Sequence, residues 1–271
     1  AGLSGRGWSL FESRKYAEAA EIFGRVVSLH PKDDLAAEAA YKSAESYEKA
    51  GQATKAAEAF RLASQSYAQS SFAFLAARRA ARLLALGKKT AEADSAYAAL
   101  LKDFPKAKDQ DALLYEWAGV HADADDFKKA DVLYRRLIRE HPRSKLVSAA
   151  QFSLAESDLL AGQLAKAQAT FQQVARSSTA PAEIRQDALF RLVGIAAENK
   201  DWKQVRQLGQ SLLTGFPESQ HTWEVRFQLG QAALHLADLP TATRELSAVV
   251  AQGDASGVGD RLGDRSGPRR K

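Results

Sequence analysis

The segment FKKADVLYRRLIREHP, residues 127–142, decides the fold. Its apolar residues recur three and four positions apart, which places them on one face of an α-helix: Phe127, Ala130, Leu133, Tyr134, Leu137 and Ile138. The opposite face carries lysines, arginines and acids. The segment therefore predicts an amphipathic helix that ends before Pro142.

The same pattern recurs along the whole chain. One residue, small in six of seven copies, marks each copy: Ala19, Ala56, Ala93, Ala130, Ala167, Val205 and Ala242. Successive members lie 37 residues apart, except for one step of 38. A large apolar residue follows four positions later in every copy except the sixth, which has Gly209. A fixed period of this length indicates a protein built from helical repeats.

Each copy predicts two helices, of which the marked segment is the second. The first helix, for example residues 35–50, ends at a turn that is rich in glycine or aspartate: Gly51, Gly87, Asp125, Asp126, Gly162 and Asp201. Two short helices cannot bury an apolar face alone, so neighbouring hairpins must stack. The sequence therefore predicts an all-α fold, an alpha-alpha superhelix of about seven helix hairpins.

The two ends of the chain depart from the repeat. Only about residues 8–14 are available as the first helix of the first copy, so we expect a truncated first repeat. Methionine is absent, including at position 1, and we expect that the natural N-terminus is missing. Residues 253–271 hold five glycines and no apolar periodicity, which predicts a disordered tail after a helical repeat domain over residues 1–252.

Composition excludes several classes of function. The chain has no cysteine, which excludes disulfides and thiol nucleophiles, and no apolar run of the roughly 20 residues that a transmembrane helix needs. The net charge is +5, but five bases and three acids in residues 253–271 account for +2 of it. Elsewhere acids and bases alternate, whereas nucleic-acid binders cluster their bases on one face. We therefore expect no nucleic-acid partner and no transmembrane segment.

Motifs that carry chemistry are absent from the sequence. No nucleophile elbow, glycine-rich phosphate loop, HExxH or EF-hand pattern occurs. His121 and Asp125 are four residues apart, with Asp123 between them, but a metal site needs three or four converging ligands. The prediction is a protein without catalytic residues, metal or cofactor, and not an enzyme.

The repeat resembles the tetratricopeptide repeat (TPR) family. The resemblance rests on an alanine, an aromatic residue four positions on and a proline eight positions further: Ala19/Phe23/Pro31, Ala93/Tyr97/Pro105 and Ala130/Tyr134/Pro142. Leu229-Gly230 matches the family's Leu-Gly pair. The 37-residue period and the junctions HPRS (141–144) and FPES (216–219) are similar to the branch found in bacterial cell envelopes, which includes the Tol–Pal accessory protein and the outer-membrane assembly lipoprotein.

The resemblance implies a scaffold whose first helices line a concave groove that holds a protein or peptide partner. The family register places one residue of each copy on that face: Tyr41, Arg78, Tyr115, Phe152, Phe190 and Phe227, called here the ladder residues. Aromatic and arginine side chains dominate interface hot spots, so these residues are suited to grip a partner segment. The alternative is that the rings pack between helices and only build the array.

Two functional hypotheses follow. The first is a non-enzymatic interaction scaffold, periplasmic or associated with the cell envelope. The alternative is a cytoplasmic regulatory or sensor arm of a larger signalling or transcription protein. Partner identity and oligomeric state do not follow from the sequence.

Overall fold

The computed structural model describes residues 2–255, which form fourteen α-helices and no strand. The helices are α1 (Gly2–Glu12), α2 (Tyr16–Leu29), α3 (Ala36–Lys49), α4 (Ala53–Ser66), α5 (Ala73–Leu86), α6 (Thr90–Asp103), α7 (Gln110–Ala122), α8 (Phe127–Glu140), α9 (Val147–Leu160), α10 (Leu164–Arg176), α11 (Ala182–Glu198), α12 (Trp202–Gly215), α13 (Thr222–His235) and α14 (Leu239–Ala255). Taken in pairs they make seven hairpins, as the repeat predicts.

The chain divides into two compact units, residues 1–137 and 138–271. In the first unit, each helix from α1 to α5 packs on the next helix in the chain, and α6 contacts α7. In the second unit, α9 to α14 pack in the same way, and the first helix α11 also contacts the first helices α9 and α13. Each unit is thus a TPR-like stack of helix hairpins, which confirms the predicted fold class.

A size match holds each hairpin together. Sixteen residues separate a buried position in the first helix from its partner in the second, which is large in every pair except the sixth: Gly7/Phe23, Ala44/Phe60, Ala81/Tyr97, Ala118/Tyr134, Ala155/Phe171, Val193/Gly209 and Gly230/Leu246. Five of the seven second-helix residues are aromatic rings, and all five are buried. At Gly7 a Cβ atom would stand 2.8 Å from the Phe23 ring, so only glycine allows this approach.

The sixth hairpin reverses the match, with Val193 in the first helix and Gly209 in the second. A Cβ on Gly209 would stand 2.9 Å from Cγ of Leu229, a buried residue of α13. The next hairpin therefore fills the space that a ring occupies elsewhere. This substitution explains why the sixth copy departs from the sequence pattern without interrupting the period.

The turn inside each hairpin also repeats. Seven residues at one repeat position have left-handed backbone angles, with φ between 57° and 74°: Arg14, Gly51, Lys88, Asp125, Gly162, Lys200 and Ala237. The N–H of the following residue donates back to the last turn of the first helix, for example from Asp238 to the carbonyl of Ala233 at 2.8 Å. These contacts form the glycine-type helix stop, although only two of the seven residues are glycines. Gly87, expected at this turn, precedes the left-handed Lys88.

The ends of the array differ in detail from the sequence expectation. Helix α1 begins at Gly2 rather than near Trp8, and its Gly7 lies close against Phe23 of α2. Helix α14 continues to Ala255, and the expected disordered tail otherwise lies outside the described residues. Within residues 2–255, no helix combines the length and apolar character required to cross a bilayer.

The size match predicts opposite effects for two helical glycines. We expect Gly209→Ala to lower the free energy of unfolding by about 1–3 kcal/mol, because its methyl group overpacks Leu229. Gly24→Ala is the matched control, since the nearest atom to its Cβ would be Ser43 Oγ at an ordinary 3.6 Å. It should raise stability by up to about 1 kcal/mol through helix propensity. Denaturant unfolding followed by circular dichroism measures both, and equal changes in the two variants would contradict the size match.

The repeated turn predicts that glycine is preferred where the chain lacks it. Ala237→Gly should stabilise the protein by roughly 0.5–1 kcal/mol, because the strain of a left-handed alanine exceeds the entropy cost of glycine. Ala98→Gly, at an exposed position inside α6, should destabilise it by about 1 kcal/mol. Thermal unfolding measures the melting temperature of each variant. A lower melting temperature in both variants would contradict strain at the turn.

Candidate functional site

The six ladder residues lie on the first helix of six successive hairpins. Tyr41, Arg78 and Tyr115 belong to α3, α5 and α7 of the first unit, and Phe152, Phe190 and Phe227 to α9, α11 and α13 of the second. Their exposure differs: Tyr41 is buried, Phe227 is 41% exposed, and the other four are half-buried. The repeat register therefore predicts their position in the hairpin, while their environment changes along the array.

Three ladder rings contact the core ring of their own hairpin, nineteen residues later. Centroid distances are 5.3 Å for Tyr41 and Phe60, 5.5 Å for Tyr115 and Tyr134, and 5.3 Å for Phe152 and Phe171. Tyr41 is also covered by Phe72. No ring contact among the described residues joins one ladder residue to another. These three ladder residues therefore contribute to packing within their hairpins, and at most part of each ring is exposed.

Arg78 replaces a ring with an ion pair that links α5 to α7. Its guanidinium donates to Glu116 at 2.5 Å and to Asp109 at 3.1 Å. The hydrogen bond with Glu116 raises the pKa of Arg78, although partial burial opposes this shift. Similar bridges join other first helices, namely Arg79 with Glu48 at 2.6 Å and Arg191 with Glu156 at 2.8 Å. Burial raises the pKa of Glu156 even though Arg191 faces it.

An open groove of about 620 Å³ lies beside the Arg78 bridge. It runs between the carboxyl-terminal halves of α5 and α7, with the start of α6 at its side. Its lining includes basic, acidic and apolar groups: Arg82, Ala85, Leu86, Lys88, Thr90, Tyr97, Glu116, Gly119, Val120, Asp123 and Ala124. Burial raises the pKa of Tyr97 from its ordinary value to about 12.

Two of the lining residues occupy one repeat position, four residues after the ladder. Arg82 is exposed on α5, and Gly119 on α7 has no atom of the described chain within 4 Å of where a Cβ would stand. Because Gly119 lacks a side chain, the space between the two helices stays open. The repeat pattern does not reveal this groove, although Arg82 lies four residues after Arg78, and Gly119 lies four residues after Tyr115.

A second cavity, of about 610 Å³, opens on the other side of the same unit. It lies between the second helices α4 and α6, with α5 beneath it. Alanines, two leucines and Phe104 make up most of its wall, and Arg61, Glu92 and Asp103 stand among its polar groups. It presents a shallow apolar surface without a ladder residue.

His121 does not pair with Asp125, the residue four positions after it on the chain. It is buried on α7, where its Nε2 lies 2.8 Å from Oδ1 of Asp94 on α6. The indole N–H of Trp117 donates to the same oxygen at 2.7 Å, and Asp125 forms the left-handed turn. In the part of the chain that the structure describes, no three histidine or carboxylate side chains converge on a metal position.

Comparison with known proteins identifies the repeat. A family model described as tetratricopeptide repeat matches residues 3–33, 38–70 and 76–107, which are the first three hairpins. A search of curated protein sequences gave no match.

Solved structures show the same fold over most of the chain. The C-terminal part of a TPR repeat-containing protein from Cytophaga hutchinsonii is 14% identical, with a TM-score of 0.68 over 92% of this chain and 94% of that one. A tetratricopeptide repeat protein from Parabacteroides merdae is 13% identical, with a TM-score of 0.55 over 93% and 92%. PilW, described as a widely conserved type IV pilus biogenesis factor, is 21% identical, with a TM-score of 0.50 over 86% and 96%. At these identities the likeness establishes the fold alone.

The acceptor that Trp117 and His121 share predicts a local loss of stability when it is removed. We expect Asp94→Ala to lower the free energy of unfolding by about 1–3 kcal/mol, because two nitrogens on α7 lose their partner. Asp103→Ala removes an exposed acid from the end of the same helix and should cost nothing measurable. Urea unfolding followed by tryptophan emission compares the two. A loss of the same size in Asp103→Ala would contradict the assignment.

Proposed function

We propose, from the tetratricopeptide repeats that this chain contains, that it is a non-enzymatic scaffold which binds a segment of a partner protein or peptide. The observation that carries the proposal is the open groove between α5 and α7. It lies on the face of the first helices that holds the ladder residues, and it combines charged rims with an apolar wall. Such a mixture suits a polypeptide segment with both charged and apolar side chains.

Two arginines on α5 have different roles at this groove: one is held in ion pairs and the other is exposed. Arg78 is held by Glu116 and Asp109, which fixes the spacing of α5 and α7. Arg82 stands exposed one turn further along α5, and the structure gives it no ion pair among the described residues. We assign Arg82 to an acidic or carbonyl group of the partner, with Leu86, 70% exposed, as the neighbouring apolar contact.

The ladder residues take part in this proposal to different degrees. Arg78 positions the wall of the groove through its ion pair with the lining residue Glu116, and Tyr115 packs on Tyr134 one turn before Gly119. Phe152, half-buried in the second unit, offers an apolar edge to a partner on that unit, whereas Phe190 is covered by the ring of His221. Tyr41 supports the first helices from within, because Phe60 and Phe72 cover its ring.

We place the scaffold in the bacterial cell envelope. This location rests on the 37-residue period and on the junctions at 141–144 and 216–219. PilW, a type IV pilus biogenesis factor, shares the fold, and that likeness extends no further. Cell fractionation of the native protein tests the location, and recovery in the cytosol would favour a regulatory arm of a larger protein instead.

A photo-crosslinking experiment tests the groove itself. A p-benzoylphenylalanine at Gly119 has room, because no described atom lies within 4 Å of its Cβ position. We expect a discrete crosslinked partner from cells that express this variant. The same group at Arg25, exposed on the second helix α2, should give none of that adduct.

A charge reversal adds the quantitative readout. Arg82→Glu should reduce the adduct at position 119 by about tenfold, since a hot-spot contact contributes 1.4 kcal/mol or more. Arg25→Glu is the matched charge reversal and should leave the adduct unchanged. Circular dichroism checks that both variants are folded. An adduct that is insensitive to Arg82→Glu, or that forms equally from position 25, would refute the groove as the binding site.

A further inference from the structure

Helix α13, the first helix of the seventh hairpin, carries an exposed apolar stripe. Trp223, Phe227 and Leu234 fall within about 40° of one another around the helix. Their exposures are 48%, 41% and 51%. Within residues 2–255, no helix packs on this stripe. Large exposed apolar surfaces of this kind mark interaction sites.

The preceding hairpin shows what covers the equivalent face. Phe190 of α11 is stacked on the His221 ring at the start of α13, with centroids 4.0 Å apart and planes within 2°. The same imidazole lies 2.8 Å from Oδ1 of Asp187, also on α11. Leu189 and Phe190 pack against Val225 and Leu229 of α13. The face of α11 is therefore occupied by a helix that begins with a histidine.

A second ring contact holds the other end of the same helix. Trp202, at the start of α12, stacks on His235, the last residue of α13, with centroids 4.1 Å apart. The two histidines are fourteen residues apart and bracket the helix that docks. The interface thus combines an apolar centre with a flat ring at each end.

One repeat later, α13 and α14 present much of the same surface without an occupant. Glu224 stands 37 residues after Asp187, Phe227 after Phe190, and Leu239 after Trp202. Leu239 is 64% exposed. Oε2 of Glu224 is buried, and no group in the described chain hydrogen-bonds to it. A carboxylate oxygen that is shielded from water and has no hydrogen-bond donor destabilises the protein. Glu224 is therefore suited to accept a hydrogen bond from a partner.

We propose that the Glu224–Phe227 face of α13 docks an amphipathic helix of a partner protein, one with a histidine immediately before its first turn. The histidine ring stacks on Phe227 and donates to Glu224, as His221 does with Phe190 and Asp187. The apolar side of the incoming helix covers Leu234 and Leu239. This site lies on a different unit from the α5–α7 groove, so it stands or falls independently of the proposed function.

The chain itself supplies the probe for this site. A fluorescein-labelled peptide of residues 216–236 reproduces α13 with its preceding turn, the element that covers α11. We expect saturable binding to the full chain by fluorescence anisotropy. Phe227→Ala and Glu224→Ala should each raise the dissociation constant about tenfold. Alanine in place of His221 in the peptide should raise it by a similar factor.

Controls separate this docking from its alternatives. Leu160→Ala alters a residue that is 69% exposed on α9 and should leave binding unchanged. A peptide that displaced α13 from α11 would be insensitive to Phe227→Ala, and this result would overturn the proposal. So would binding that appears only after the chain is shortened to end at residue 255, because the tail would then be the occupant. Absence of saturation at millimolar peptide would overturn it as well, and circular dichroism verifies that each variant is folded.

Discussion

The close approach of two helices inside each hairpin is the constraint on which the rest of the structure depends. One large side chain of the second helix fills the space above a small residue of the first, as Phe60 does above Ala44. Because that contact sets the distance between the helices, the ladder residue three positions before the small residue meets the same ring in three of the hairpins, at Tyr41, Tyr115 and Phe152. The candidate binding face is therefore built on the hairpin core and cannot be altered independently of it.

The same constraint explains which exceptions the array tolerates. A missing ring at Gly209 is compatible with the fold because Leu229 enters from the next hairpin, so the volume is filled from outside. A missing ladder ring at Arg78 is compatible because ion pairs with Glu116 and Asp109 bridge the helices. Nearest-neighbour packing allows such local solutions, since each hairpin must satisfy only the hairpins beside it.

The fold could be predicted from the sequence because spacing alone determines it. The 37-residue recurrence of Ala19 and its equivalents implies the hairpins, their number and their turns. The environment of the ladder could not be predicted in the same way. Spacing places Tyr41 and Phe227 at one repeat position, yet one ring is buried by Phe72 and the other is exposed. Burial depends on which neighbour supplies a covering side chain, and that differs between hairpins. Likewise, the α5–α7 groove depends on the side chain that Gly119 lacks, and a search for recurring residues overlooks it.

Specific recognition in such an array must arise where the repeat is broken. Positions that recur are committed to the hairpin core, so they are the same for every partner. The groove at Gly119 and the bare face at Phe227 share a different origin: at each, a covering side chain or helix is absent, and a charged group has no ion pair among the described residues. At the groove the free group is a guanidinium, and on α13 it is a carboxylate oxygen. If both proposals hold, the two surfaces select opposite charges: the groove selects an acidic or carbonyl group, and the α13 face selects a histidine.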